Sequence, residues 1–165
     1  MAGDGTSYVV DKDRGYARIY RGLTDGRHNG KVRVGWFPGA GSSAGTTVAQ
    51  YAMFNEFGTK SIPERPFMRR AFDRNMQKYT ALFAKLEGRF FDGHITFDGI
   101  LSVVGLVARN DVVQSITDAR KWAVPNAPAT VRQKKSSSPL IDTGTMRNTC
   151  WYEVVTKAGR RMHRG

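Results

Sequence analysis

The chain of 165 residues has one cysteine, three histidines and only 14 acidic residues against 26 basic ones. Cys150 alone rules out an internal disulfide and any zinc cluster built on several thiolates, which suits a reducing compartment. His28, His94 and His163 fall in predicted loops or the tail, and no two of them have a metal-ligand spacing such as His-x-x-x-His. No run approaches the roughly 18 apolar residues of a membrane-spanning helix. "MAGDGTSYVV" lacks the basic-then-apolar order of a secretion leader, so the expectation is a soluble protein made in the cytoplasm, with no membrane partner. The shortage of acids leaves a net charge of +12. That excess points to an anionic partner such as nucleic acid; a basic but inert surface is the bland alternative.

What is present reads as one domain over residues 1–165, large enough for a modest core. "TSYVVDKDRGYARIYRGLTDG" suggests a short strand followed by a helix carrying Tyr16, Ile19, Tyr20 and Leu23. In "GKVRVGWFP" Val32, Val34 and Trp36 alternate with Lys31, Arg33 and Gly35, predicting a strand that Pro38 stops. Gly39 to Thr47 is a small-residue loop with nothing to pack, and it lacks the lysine of a phosphate-binding loop. A short helix is predicted from Val48 to Phe57, with Gly58 where helices commonly end. Pro63 and Pro66 fix the next backbone segment.

Beyond Pro66, apolar residues from Phe67 to Phe90 recur at three-and-four spacing, predicting a helix of about six turns. A second helix is predicted from Phe97 to Arg120, and the short link through Asp92 and His94 makes the pair pack antiparallel. Lys121 to Gly144, with three prolines and three consecutive serines, reads as an extended basic arm or mobile loop. "NTCWYEVVT" predicts a terminal strand with Cys150, Tyr152 and Val154 on one face, and residues 157–165 a frayed basic tail. The fold class expected is α+β, a small antiparallel sheet packed on two long antiparallel helices, with long flexible loops.

The residues offer little chemistry. A Cys150–His94 nucleophile pair is set against the commoner role of a lone strand cysteine as a small core hydrophobe. Asp11 with Asp13, and Asp92 with Asp98, read as turn and capping residues. Asp142-Thr143-Gly144 has the triplet of an aspartic protease but no partner constellation; the plainer reading is a cap on a helical turn beginning near Gly144. No catalytic, cofactor-binding or metal-binding set is assigned, and the chain is not expected to be an enzyme.

Four segments in order carry a resemblance: "VRVGWFP", "YAMFNEFGT", "IPERPFMRRAF" and "PLIDTGTMRNT". The series resembles the neck, or tail-completion and virion-morphogenesis, proteins of long-tailed bacteriophages. Those proteins typically show an Asn-Glu-Phe-Gly-Thr turn, a Pro-x-Arg-Pro-Phe helix start and a Pro-Leu-x-Asp-Thr-Gly segment before the last strand. The likeness covers about Lys31 to Val155, and "APATVRQKKSSSPLIDTG" is similar to the family's linker. Glu64, Arg70 and Cys150 depart from the usual pattern.

The resemblance implies a ring in the virion neck, hexameric or dodecameric, joining the head connector or head-closure protein to the tail terminator or tail tube. Double-stranded DNA would pass through its channel without sequence recognition. Interface contacts are expected from Glu56, Phe57, Gly58, Thr59, Pro63, Arg65, Pro66, Asp142, Thr143 and Gly144, with Arg65 pairing a neighbour's carboxylate. The alternative is that the Gly58–Pro66 loop only closes the subunit's own core. Contacts to DNA or to an acidic neighbour are expected from Arg120, Lys121, Arg132, Lys134, Lys135, Arg160, Arg161 and Arg164. Two other readings stay open: a stand-alone nucleic-acid-binding protein, favoured by the charge, and a hydrolase, favoured only by Asp142-Thr143-Gly144.

Overall fold

A computed structural model describes residues 30–43, 45–134, 136–156 and 159–163. The predicted strand and helix before Gly26, the Asp11–Asp13 pair, His28, Lys135 and Arg164 lie outside the described residues. The chain is mixed α/β. In order it forms β1 (Lys31–Gly35), β2 (Ser42–Ser43), β3 (Thr46–Thr47), α1 (Val48–Phe57), α2 (Phe67–Phe91) and α3 (Phe97–Thr117). A 3₁₀ turn (Asp118–Lys121), α4 (Pro128–Lys134), α5 (Thr145–Asn148), β4 (Trp151–Thr156) and β5 (Gly159–His163) complete it.

β1, β4 and β5 make an antiparallel sheet with β4 in the middle, Val34 opposite Tyr152 and Val155 opposite Arg160. The alternation in β1 sends Val32 and Val34 to the same side as Tyr152 and Val154, where they pack with Leu101 and Phe97 of α3. That approach is close. A Cβ on Gly105 would lie 2.3 Å from Cδ2 of Tyr152, so only glycine lets α3 lie this near β4.

The larger core gathers Val48 and Ala52 of α1, Phe67 and Ala71 of α2, Val112 and Ile116 of α3, Leu140, Met146 and Cys150. Phe67 meets Trp36 edge to face at 5.7 Å, and the Trp36 indole donates to the Met146 carbonyl at 2.8 Å. Burying side chains of this size stabilises the fold by about 1.5–3 kcal/mol each. The helix starts are set locally. Thr47 and Gln50 form a reciprocal capping box on α1, and Thr96 Oγ1 accepts from Gly99 N at the start of α3.

Three expectations are corrected. Residues 121–144 are not an extended arm: they hold α4, and Leu140 is 1% exposed inside the main core. A single buried leucine leaves no periodic signal in the sequence. Within the expected tail, residues 159–163 are not frayed, since β5 pairs with β4 and Arg160 reaches the Glu153 carboxylate. Glu153 is fully buried, and its charge is met there by Arg160 and by Arg33 at 3.2 Å. The Gly39–Thr47 loop does pack, through buried Ala40 and the small β2–β3 hairpin. Finally, Phe97–Lys121 is long and apolar enough to cross a membrane by composition, but its apolar stripe, Ile100, Leu101, Ala108, Val112 and Ile116, is buried inside the fold.

Candidate functional site

The segment from α1 to the start of α2 is built around two buried charges. Glu56, on the last turn of α1, points its carboxylate at the first turn of α2. Oε2 accepts from Met68 N at 2.9 Å, and Oε1 accepts from Arg69 N at 3.1 Å and Arg69 Nε at 3.0 Å. Pro66, the residue that begins α2, supplies no side-chain cap. Glu56 therefore does that work from another helix, placing a negative charge at the positive end of α2. The Arg69 guanidinium also reaches the Glu56 carbonyl at 2.7 Å and Glu64 at 2.6 Å, and these carboxylates hold its pKa above the ordinary arginine value.

Arg65 is 4% exposed. Its guanidinium donates to the Val124 carbonyl at 2.9 Å, to Asn55 Oδ1 at 3.2 Å, to Asn126 Oδ1 at 3.0 Å and to the Pro125 carbonyl at 3.5 Å. Its backbone N–H donates to the Asn55 carbonyl at 2.7 Å. Burial pulls the Arg65 pKa below its ordinary value, with Tyr51 offsetting part of the shift. Arg65 thus ties α1, the proline loop and the 124–126 segment together. The expectation that it pairs a neighbour's carboxylate is corrected: four of its five guanidinium N–H donors are engaged inside the subunit.

Between these two charges the chain turns sharply. Gly58 has φ 74°, and a Cβ there would sit 3.0 Å from Glu64 N. Thr59 closes the loop, its N–H donating to the Ile62 carbonyl at 2.8 Å and its Oγ1 accepting from Ser61 N and Ile62 N. Thr59 and Pro63 are exposed and Pro66 is half-buried. Phe57 is 65% exposed with the Arg69 guanidinium 5.3 Å above its ring, and Met53, one turn earlier, is 49% exposed. These two side chains border an apolar groove of about 480 Å³ between α1, the start of α2 and Val34–Trp36.

Asp142, Thr143 and Gly144 lie on a different groove, of about 470 Å³, shared with Tyr51 and Phe54 of α1. Gly144 precedes α5, which has no side-chain cap, and Thr143 Oγ1 accepts from Thr145 N at 3.4 Å. The two expected interface segments therefore line two different grooves, with α1 contributing to both.

The expected basic contacts are spread over three elements. Arg120 and Lys121 end the 3₁₀ turn, with Lys121 on Asp118 at 2.7 Å. Arg132 and Lys134 sit on α4, Lys134 3.4 Å from the Tyr51 hydroxyl. On β5, Arg160 is paired with Glu153, and Arg161 lies 3.7 Å from Asp98.

Reactive chemistry is not assembled among the described residues. No group of three or more His, Cys, Asp or Glu is placed to hold a metal. Cys150 is buried, and burial pushes its thiol up to about 12, only partly offset by Arg109. Arg109 Nε donates to the Cys150 carbonyl, about 18 Å along α3 from the helix start that follows the exposed His94 loop. Sequence reasoning missed both the Glu56 cap and the Arg65 tie, whose partners lie 12 and about 60 positions away with no local pattern. Comparison with protein-family models, with curated proteins and with solved structures gave no match for the chain.

Proposed function

We propose that the chain is a structural subunit of the neck of a long-tailed bacteriophage virion. It would form a ring that joins the head connector to the tail and lets the genome pass. Its two long helices run antiparallel in this reading, because Lys78 and Tyr79 of α2 meet Asp111 of α3 while Arg70 meets Trp122. Such a subunit is made in the host cytoplasm, ends in the virion, and needs no catalysis, cofactor or metal.

One observation supports this reading above the others. The Tyr51–Phe72 segment is fixed from inside by Glu56 and Arg65, yet leaves Phe57 and Met53 facing outward. A ring needs the same patch presented at the same angle by every copy. An apolar edge on a backbone locked by buried hydrogen bonds meets that need, and two of the four ordered motifs fall on this segment.

The test is co-assembly. Purified subunit is expected to stay largely monomeric by light scattering at micromolar concentration and to add as a ring to connector-bearing heads. Phe57→Asp should fold normally and fail to add. A closed ring stable without any partner, or full incorporation of Phe57→Asp, contradicts the proposal. The net charge of +12 favours a second reading, a stand-alone nucleic-acid-binding protein. Tight preference for one duplex sequence at physiological salt would move the balance to it.

A further inference from the structure

A polar groove of about 530 Å³ lies between α2, α3 and the 3₁₀ turn, away from both grooves beside α1. Arg70 and Arg74 reach it from α2, one turn apart, and Lys121 and Trp122 from its end. The Arg70 guanidinium lies 4.9 Å above the Trp122 ring, and the Trp122 indole donates to the Ser115 carbonyl at 3.1 Å. Arg70 is thereby held in place by a ring that is itself fixed.

The acids lining this groove are already engaged. Asp111 accepts from Lys78 at 2.6 and 2.9 Å and from the Tyr79 hydroxyl at 2.9 Å. Asp118 accepts from Gln114 at 2.8 Å and Lys121 at 2.7 Å, which hold its carboxyl below the ordinary range. Among the described residues Arg70 and Arg74 enter no ion pair. Two guanidiniums are therefore left uncompensated on one side of a groove whose carboxylates are neutralised. Ser115 also lines the groove, and its Oγ is buried with no hydrogen-bond partner.

We propose that this groove is a phosphate-backbone site for duplex DNA, with Arg70 and Arg74 as the contacts. Arginine is suited to phosphate because its planar fork donates two parallel hydrogen bonds and keeps its charge. Arginine contacts to phosphate position a duplex but carry no sequence information. Naming DNA rests on the reading of a genome-carrying channel; the charge arrangement does not.

The test is salt-dependent binding of the full-length chain to a fluorescein-labelled duplex of mixed sequence, followed by anisotropy. Each phosphate contact contributes about 0.9 to the slope of log K against log salt. Arg70→Gln with Arg74→Gln should lower the slope by about 1.8 and weaken binding at least tenfold at low salt. Arg70→Lys with Arg74→Lys should keep the slope, which guards against a fold defect in the first variant. A second duplex sequence should bind equally. Inorganic phosphate should compete only at concentrations that act through ionic strength. An unchanged slope in the glutamine variant, no binding of any duplex, or saturable displacement by low phosphate overturns the site. Failure of the unaltered chain to bind any duplex while ring assembly is normal would sink the groove alone; intact DNA binding without ring assembly would sink only the neck reading.

Discussion

Replacing Glu56 with alanine removes one side chain but leaves several donors without an acceptor. The carboxylate serves two backbone N–H groups of α2, those of Met68 and Arg69, at 2.9 and 3.1 Å, where Pro66 provides no cap. Loss of a helix cap costs about 0.5–2 kcal/mol, and a shielded N–H left unsatisfied adds roughly 1–3 kcal/mol. The pairing with Arg69 adds little, because that guanidinium is half exposed. Together these give about 3 kcal/mol, which for a chain of this size is a fall in Tm of roughly 6–12 °C. Glu56→Gln keeps an acceptor and should lose about half as much. Thermal unfolding by circular dichroism reads both, and Arg69→Met serves as the control for the exposed pair, expected to leave Tm nearly unchanged. A Glu56→Ala shift below about 2 °C, or an equal loss in Arg69→Met, would refute the claim that Glu56 caps α2 from a distance.

Three further outcomes are expected. Phe67→Ala should cost about 3–5 kcal/mol in chemical denaturation because the ring is fully buried, while half-buried Phe72 should cost under about 2 kcal/mol. Gly105→Ala should destabilise by about 1–3 kcal/mol, because its Cβ would meet the Tyr152 ring, and the companion change Tyr152→Leu should relieve part of that loss. Stability should fall as pH rises from about 9 towards 12. The buried Cys150 thiol keeps its proton to about 12 while the unfolded thiol ionises near 9, so the native state holds one proton more in that window. The slope from this group is about 1.4 kcal/mol per pH unit, and Cys150→Ala should remove it in denaturation curves taken across the range.

The elements with a period were legible in the sequence. β1 followed from the alternation of Val32 and Val34, and α2 and α3 from apolar stripes whose ends fall within a few residues of those expected. Gly58 was read as a helix end and takes a positive φ. What escaped is what depends on one residue meeting a distant one. Leu140 of the supposed arm is buried in the main core, and Glu153 draws Arg160 into a strand that local composition reads as a tail. Arg65 was expected to pair a neighbour's carboxylate because the resemblance implies a ring; the acceptors that hold it inside, at Asn55, Val124, Pro125 and Asn126, are met only in the folded chain. Arg70 and Arg74 carried a visible four-residue spacing, but whether a carboxylate answers them is a tertiary fact.

The neck assignment is tested most directly by locating the protein in the particle. Antibodies against the chain should label purified virions at one place, the junction between head and tail, and particles assembled without the chain should appear as filled heads lacking attached tails. Label spread over the capsid, or virions complete in its absence, would contradict the account.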